Sequence, residues 1–164
     1  MKRVLLGLTL AGMLWGTTAC VKPEADANAD GGLADRGIVA QQSPYSVEET
    51  ANRLVAQIEQ RGLTLFAQID HETGARSVDL DLRPTQLVIF GNPRVGTPLM
   101  QCNQGVAIDL PQKALIWEDE TGQVWLGYNN PNYLMERHTL TGCETVIERI
   151  EGALSGLTSA AIAP

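Results

Sequence analysis

Ser46 to Gly62 reads SVEETANRLVAQIEQRG, and its apolar residues recur at helical spacing. Val47, Ala51, Leu54, Val55 and Ile58 fall on one stripe of a helix, with charged and polar residues around the rest. Ser46 and Glu49 have the spacing of a capping box, which satisfies free amides at a helix start. Gly62 stands where a left-handed residue ends a helix. A second stripe follows near the C-terminus: Val146, Ile147, Ile150, Leu154 and Leu157, with Thr141 and Glu144 spaced as a second capping box. Two helices with one apolar face each need a common surface to cover those faces.

The segments between and before them read as strands. Ile38 to Gln41 is a short one. LTLFAQID, Leu63 to Asp70, alternates Leu63, Leu65, Ala67 and Ile69 against Thr64, Phe66 and Gln68, which predicts one buried face. TQLVIF, Thr85 to Phe90, is apolar on both parities and predicts a central strand covered on both faces or nearly so. KALIWED and QVWLGYN, Lys113 to Asp119 and Gln123 to Asn129, form a hairpin around a glycine-bearing connection. VAIDLP, Val106 to Pro111, leads into the same strand region, with Pro111 marking an edge or a bulge. HETGARSVDLDLRP between the second and third strands reads mostly as loop. Asn130 and Pro131 start a short helix. The pattern predicts an α+β domain: one curved antiparallel sheet with two long helices on one face, in strand-helix-four-strand-helix order.

The N-terminus reads as an address. Lys2 and Arg3 precede an apolar run, Val4 to Gly16, shorter than the roughly 20 residues that span a bilayer. Small residues then lead to Cys20. This resembles a bacterial lipobox in which Cys20 takes lipid, although Thr17 stands where an aliphatic residue is usual; plain cleavage after Ala19 is the alternative. The expected organisation is a signal peptide over 1–19, a lipid-anchored flexible tether over 20–35, one domain over 36–158 and a disordered tail over 159–164. The tether is polar and without apolar period, so it cannot offset the entropy of ordering. The expected location is the bacterial envelope, exported and membrane-anchored through the lipid, facing the periplasm or the cell exterior.

A formal net charge of -7 and a pI near 4.7 exclude a phosphate-backbone partner, which demands clustered Lys and Arg. Beyond Cys20, only Cys102 and Cys143 remain of the three cysteines. In an oxidising compartment they form either a disulfide, adding about 4 kcal/mol in the chain-entropy account, or two unpaired thiols; the spacing leaves both open.

The corner IFGNPRVGTPLMQ, Ile89 to Gln101, spaces Gly91 and Gly96 like a phosphate-gripping loop. Such loops place Lys after the second glycine; here Thr97 and Pro98 follow. The better reading is a structural corner, with Asn92 and Pro93 turning the chain and Thr97 capping a short helix that starts at Pro98.

The ordered segments RPTQLVIFGNPRVGTPLMQ, AIDLPQKALIWED and VWLGYNNPNYLMERH resemble the bacterial family of domain of unknown function 302. The resemblance covers Gly37 to Leu157. It implies an α/β domain with a strand order similar to the TATA-binding-protein-like folds, and it assigns no catalytic residue, because the family's role is itself unassigned.

No Ser-His-Asp order or nucleophile elbow appears, so the sequence leans away from an enzyme. The leading expectation is a cell-envelope lipoprotein that binds a small ligand or an envelope protein. Its surface would comprise Asn92, Thr97 and Gln101 at the corner and Trp117, Trp125 and Tyr128 on the hairpin. The rival is a redox protein, or one holding a metal or haem, using Cys102, Cys143, His71 and His138, with Met100 as a further soft ligand. A structural role through a homodimer or an envelope contact is the third.

Overall fold

The computed structural model describes residues 32–164. The expected signal peptide, Cys20 and nearly all of the tether lie outside the described residues. The chain forms β1 (Ile38–Ser43), α1 (Val47–Gln60), β2 (Thr64–Asp70), α2 (His71–Arg76) and β3 (Thr85–Gly91). It continues as α3 (Pro93–Cys102), a 3-10 turn (Gln104–Ile108), β4 (Gln112–Glu118), β5 (Val124–Asn129), α4 (Pro131–His138) and α5 (Glu144–Ile162).

The strands make one five-stranded antiparallel sheet in the order β1-β5-β4-β3-β2. Consecutive strands β2 to β5 follow one another as neighbours, and β1 closes against β5. The expected α+β fold is the one observed. Leu54 and Ile58 of α1 and Ile147 and Leu154 of α5 bury their stripes on Val88 and Phe90 of β3, Ile116 of β4 and Leu126 of β5. Each such side chain contributes roughly 1.5–3 kcal/mol of burial, which places the core between the helices and one sheet face. The one polar pair inside it, Ser43 and Thr50, is satisfied by a mutual 2.7 Å hydrogen bond.

Local signals explain the start and end of α1. The amide of Glu49 donates to Ser46 Oγ at 3.1 Å, and Gly62 takes φ +66°, the left-handed conformation that only glycine adopts cheaply.

Several sequence expectations are corrected. The alternation over Leu63 to Asp70 does not hold as one stripe. A bulge between Leu65 and Ala67 shifts the register, so Leu65 pairs with Phe90 on the helix side while Ala67 and Ile69 pair with Ile89 and Leu87 on the other face. One extra residue flips every later side chain. In β3, Val88 and Phe90 are buried, but Leu87 and Ile89 are only half-covered. His71–Arg76, expected as loop, is helix α2, because Asp70 Oδ1 accepts from the Thr73 amide at 2.9 Å. Val106 to Pro111 is no strand: it is a 3-10 turn followed by the cis peptide Leu110–Pro111.

The second capping box is absent. α5 starts at Glu144, Cys143 takes the cap position without a side-chain bond, and Glu144 Oε1 instead accepts from the Gly142 amide at 3.0 Å. The expected tail over 159–164 is instead largely the last turn of α5. Its terminal carbonyls, orphaned by helix geometry, are taken up from α1 and its approach. Arg53 Nε donates to Ala161 O at 2.7 Å, Arg53 Nη2 donates to Ala163 O, and the Tyr45 hydroxyl donates to the same oxygen at 2.8 Å.

Candidate functional site

The corner beyond β3 is one of the places where the fold leaves room. Gly91 ends the strand, and Asn92 caps α3 by accepting the Arg94 amide on Oδ1 at 2.9 Å, with Pro93 at the first helical position. This corrects the expected start at Pro98: the helix begins five residues earlier, Thr97 lies inside it, and Pro98 is an interior residue of its second turn. Helix α3 then departs from the sheet, and the 3-10 turn brings the chain back to β4. Between α3, that turn, the ends of β2 and β3 and the middle of α5 lies a cavity of about 410 Å³.

Its walls are almost wholly carbon. Leu63, Phe90, Val95, Met100, Leu110 and Leu154 line it from β3, α3, α5 and the loops before β2 and β4. Small residues keep it open: a Cβ on Gly91 would meet Pro111 and Phe66 at 3.5 and 3.6 Å, and one on Gly96 would meet Leu110 at 3.7 Å. The β2 bulge turns Phe66 outward to the rim, where it is 53% exposed despite its size. Bulges recur beside functional sites because they re-aim a side chain in this way. Among the lining residues only Asn92, Thr97, Gln112 and Arg149 carry polar side chains, and Arg149 alone is charged. Few polar groups in an apolar cleft of this size are the usual make-up of a small-molecule site.

The six residues expected to form one binding surface are divided. Asn92 and Thr97 line the corner cavity, whereas Gln101 is exposed on α3 and lines none of the described cavities. Trp117 and Trp125 are cross-strand partners on the sheet face away from the long helices, stacked at 6.3 Å with 16° between planes. Tyr128 points the other way, into the core beside Thr158 and Glu151, where burial and then the Glu151 carboxylate push its phenol above the usual value. Alternation along β5 separates Trp125 from Tyr128.

The tryptophan pair borders a second cleft, of about 840 Å³, with Leu87, Leu115 and Leu33. One carboxylate at its edge is already committed. Asp119 accepts from Thr121 Oγ1 at 2.7 Å, Trp125 Nε1 at 2.7 Å, the Thr121 amide at 2.8 Å and the Gln123 amide at 3.0 Å. The Thr121 hydroxyl and then the Trp125 indole are the main causes that hold its carboxyl down to about 2. The acidic hairpin tip is therefore organised around one carboxylate.

The soft-ligand set is not brought together. Cys102 and Cys143 are joined as a disulfide with Cα atoms 6.6 Å apart, which ties the end of α3 to the start of α5 and leaves neither thiol as a ligand. His138 contacts Asp109 through Nε2 at 2.5 Å, beside Arg137 at 3.3 Å from the same carboxylate. His71 opens α2 at the opposite end of the sheet, since Asp70 pairs with Gln86 while Asp109 precedes the strand end that pairs with Phe90. Met100 faces the cavity without a second sulfur or imidazole among its liners. Among the described residues no group of three or more His, Cys, Asp or Glu could hold a metal ion. Sequence reasoning singled out the corner but missed Arg149; its only signal is that it is the lone basic residue of an acidic helix.

Comparison with known proteins places this geometry in context. The sequence profile of the family described as Domain of unknown function DUF302 matches residues 39–157. Over 108 residues, 66% of the chain, the sequence is 45% identical to the Fluoride-specific ion channel FluC 1 of Brucella suis biovar 1, of which it covers 42%. The same identity over the same length relates it to the Fluoride-specific ion channel FluC 2 of Brucella melitensis biotype 1, covering 40% of that protein. The chain thus spans about two-fifths of the length of the curated relatives it matches. The fold is similar to the crystal structure of an uncharacterized conserved DUF302 protein from Bacillus stearothermophilus. The TM-score is 0.69 at 19% identity, with 76% of this chain and 98% of the other covered.

Proposed function

The chain belongs to the family of domain of unknown function DUF302, and we propose that this member is a binding module that takes a small, largely apolar ligand into the corner cavity. The observation that carries the reading is the cavity of about 410 Å³, walled by carbon from α3, α5 and the ends of β2 and β3 and kept open by Gly91 and Gly96. Protein interiors close such spaces when nothing fills them. The long side chain that could close this one, Phe66, is turned to the rim by the bulge. No constellation of nucleophile and base accompanies the cavity, so binding is the role it supports best.

The relatives named as fluoride-specific channels are longer proteins of which this chain matches a part, and their channel activity stays with them. None of the described helices is long and apolar enough to cross a membrane. In the proposed reading the shared stretch is a module attached to different partners: a channel in those relatives, a lipid anchor at Cys20 here. What supports export is the leader of this sequence together with the Cys102–Cys143 bridge, a feature that persists in oxidising compartments.

A neutral fluorescent probe, N-phenylnaphthylamine, tests the cavity. Its emission should rise on mixing with the protein. Ala153→Trp and Ala107→Trp, two exposed rim positions on different elements, should abolish the rise while the circular dichroism spectrum stays unchanged. Equal enhancement by both blocked variants would remove the cavity as the site.

A further inference from the structure

The charge at the cavity mouth bears on which ligand enters, an inference that rests on the binding reading above. A guanidinium is charged at every accessible pH and is stabilised by a carboxylate or phosphate in its fork. On a helix, the neighbours that could supply one lie three or four residues away. For Arg149 these are Thr145, Val146, Gly152 and Ala153, none of them acidic. Glu144, Glu148 and Glu151 of the same helix fall at other offsets, and the side-chain ion pairs among the described residues are Arg76–Glu72, Arg137–Asp109 and His138–Asp109. Arg149 is thus the only basic residue of α5, and it is set on the cavity rim in a chain of net charge -7.

The rim also provides the polar contacts a head group needs. Thr97 is exposed on α3, and Gln112 opens β4. Behind them the space is bounded by Phe90, Met100, Leu110 and Leu157, which offer nothing to a second polar group. Burying a charge there without a partner is costly. The charge of the ligand must therefore sit at the mouth and its apolar part inside.

We infer that the cavity binds an amphipathic monoanion, an unbranched or compact hydrocarbon ending in a carboxylate, with the hydrocarbon among the carbon walls and the carboxylate on Arg149. The ligand is free in solution, not a phospholipid held in the bilayer: the mouth carries one arginine, where an anionic membrane surface is recognised by clusters of Lys and Arg.

Calorimetric titration with decanoate and with decanol, which share a chain and differ in the head group, tests this on the full chain carrying Cys20→Ala, so that neither lipid nor detergent competes. Decanoate should bind more tightly than decanol. Arg149→Gln should weaken decanoate roughly three- to tenfold, the range of a partly exposed charge-assisted contact, and leave decanol unchanged. Arg149→Lys should restore part of the loss, and raised salt should weaken decanoate alone. Equal affinities for the two ligands, both insensitive to Arg149→Gln but abolished by Ala153→Trp, would overturn the anion assignment and leave the cavity standing. Binding of neither ligand would overturn both. Arg149-dependent sedimentation with phosphatidylglycerol vesicles, without decanoate binding, would overturn the free carboxylate in favour of a membrane lipid.

Discussion

Breaking the Cys102–Cys143 bridge is the perturbation whose size follows most directly from the structure. The bridge closes a 41-residue separation. In the chain-entropy account such a cross-link removes about 4 kcal/mol of conformational freedom from the unfolded chain near room temperature. The Cα separation of 6.6 Å lies within the span a disulfide bridges without backbone movement, so the entropic gain is not expected to be offset by backbone distortion. For a domain of this size each kcal/mol moves the melting temperature by roughly 3–4 °C, so loss of the bridge should lower it by about 14 °C. Cys102 is exposed and open to a reductant, while Cys143 is 4% exposed against the core. Differential scanning calorimetry of the oxidised protein, the reduced protein and Cys102→Ala/Cys143→Ala separates the bridge from the packing of the Cys143 side chain. The reduced form should account for most of the loss. Because the bridge ties the end of α3, a wall of the cavity, to the start of α5, probe affinity should fall with it. Reduced and oxidised proteins melting within about 3 °C of each other would refute the argument, since the entropy removed from the unfolded chain would then not appear as stability.

The hairpin makes a prediction about acid. The Asp119 carboxyl is depressed to about 2 from an ordinary value of 3.8, so its contribution to the folded state is present above 3.8 and lost as the pH falls toward about 2. Tryptophan fluorescence should report a transition of the Trp117–Trp125 pair in that window, absent in Asp119→Asn; identical acid titrations of the two proteins would count against it. Export and lipidation predict that the intact mass of the mature protein begins at Cys20 with diacylglycerol attached and with the other cysteines two hydrogens lighter than their thiol forms. A mass that retains Met1 and free thiols would reject both.

How much of this was legible in the sequence depends on whether the signal was local. Ser46, Glu49 and Gly62 announce α1 because each acts within one turn of its own position. Asn130 and Pro131 announce α4 for the same reason. The bulge at Phe66 left no such trace, since a bulge exists only relative to the partner strand, here Phe90 and Ile89 of β3. Thr141 and Glu144 had the spacing of a cap, but Gly142 takes φ +79° between them and delays the helix. The last turn of α5 reads as a fraying tail until Arg53 and Tyr45 are seen to bond its carbonyls from more than a hundred residues away. The candidate site divides in the same way. Asn92 and Thr97 stood out through the corner's glycines and prolines, whereas Leu63, Leu110 and Arg149 share the cavity only because the sheet and α5 bring distant segments together. Trp125 and Tyr128, close in sequence, were assigned to one surface and lie on two, as strand alternation requires.

The cavity reading is tested most directly by heteronuclear NMR of the uniformly labelled protein titrated with decanoate. The expected result is saturable shift changes concentrated on the amides of Gly91, Gly96, Met100, Ala107 and Ala153, with Leu87, Leu115 and Trp117 unmoved. Shifts gathered instead around Trp117 and Trp125, or none that saturate, would contradict it.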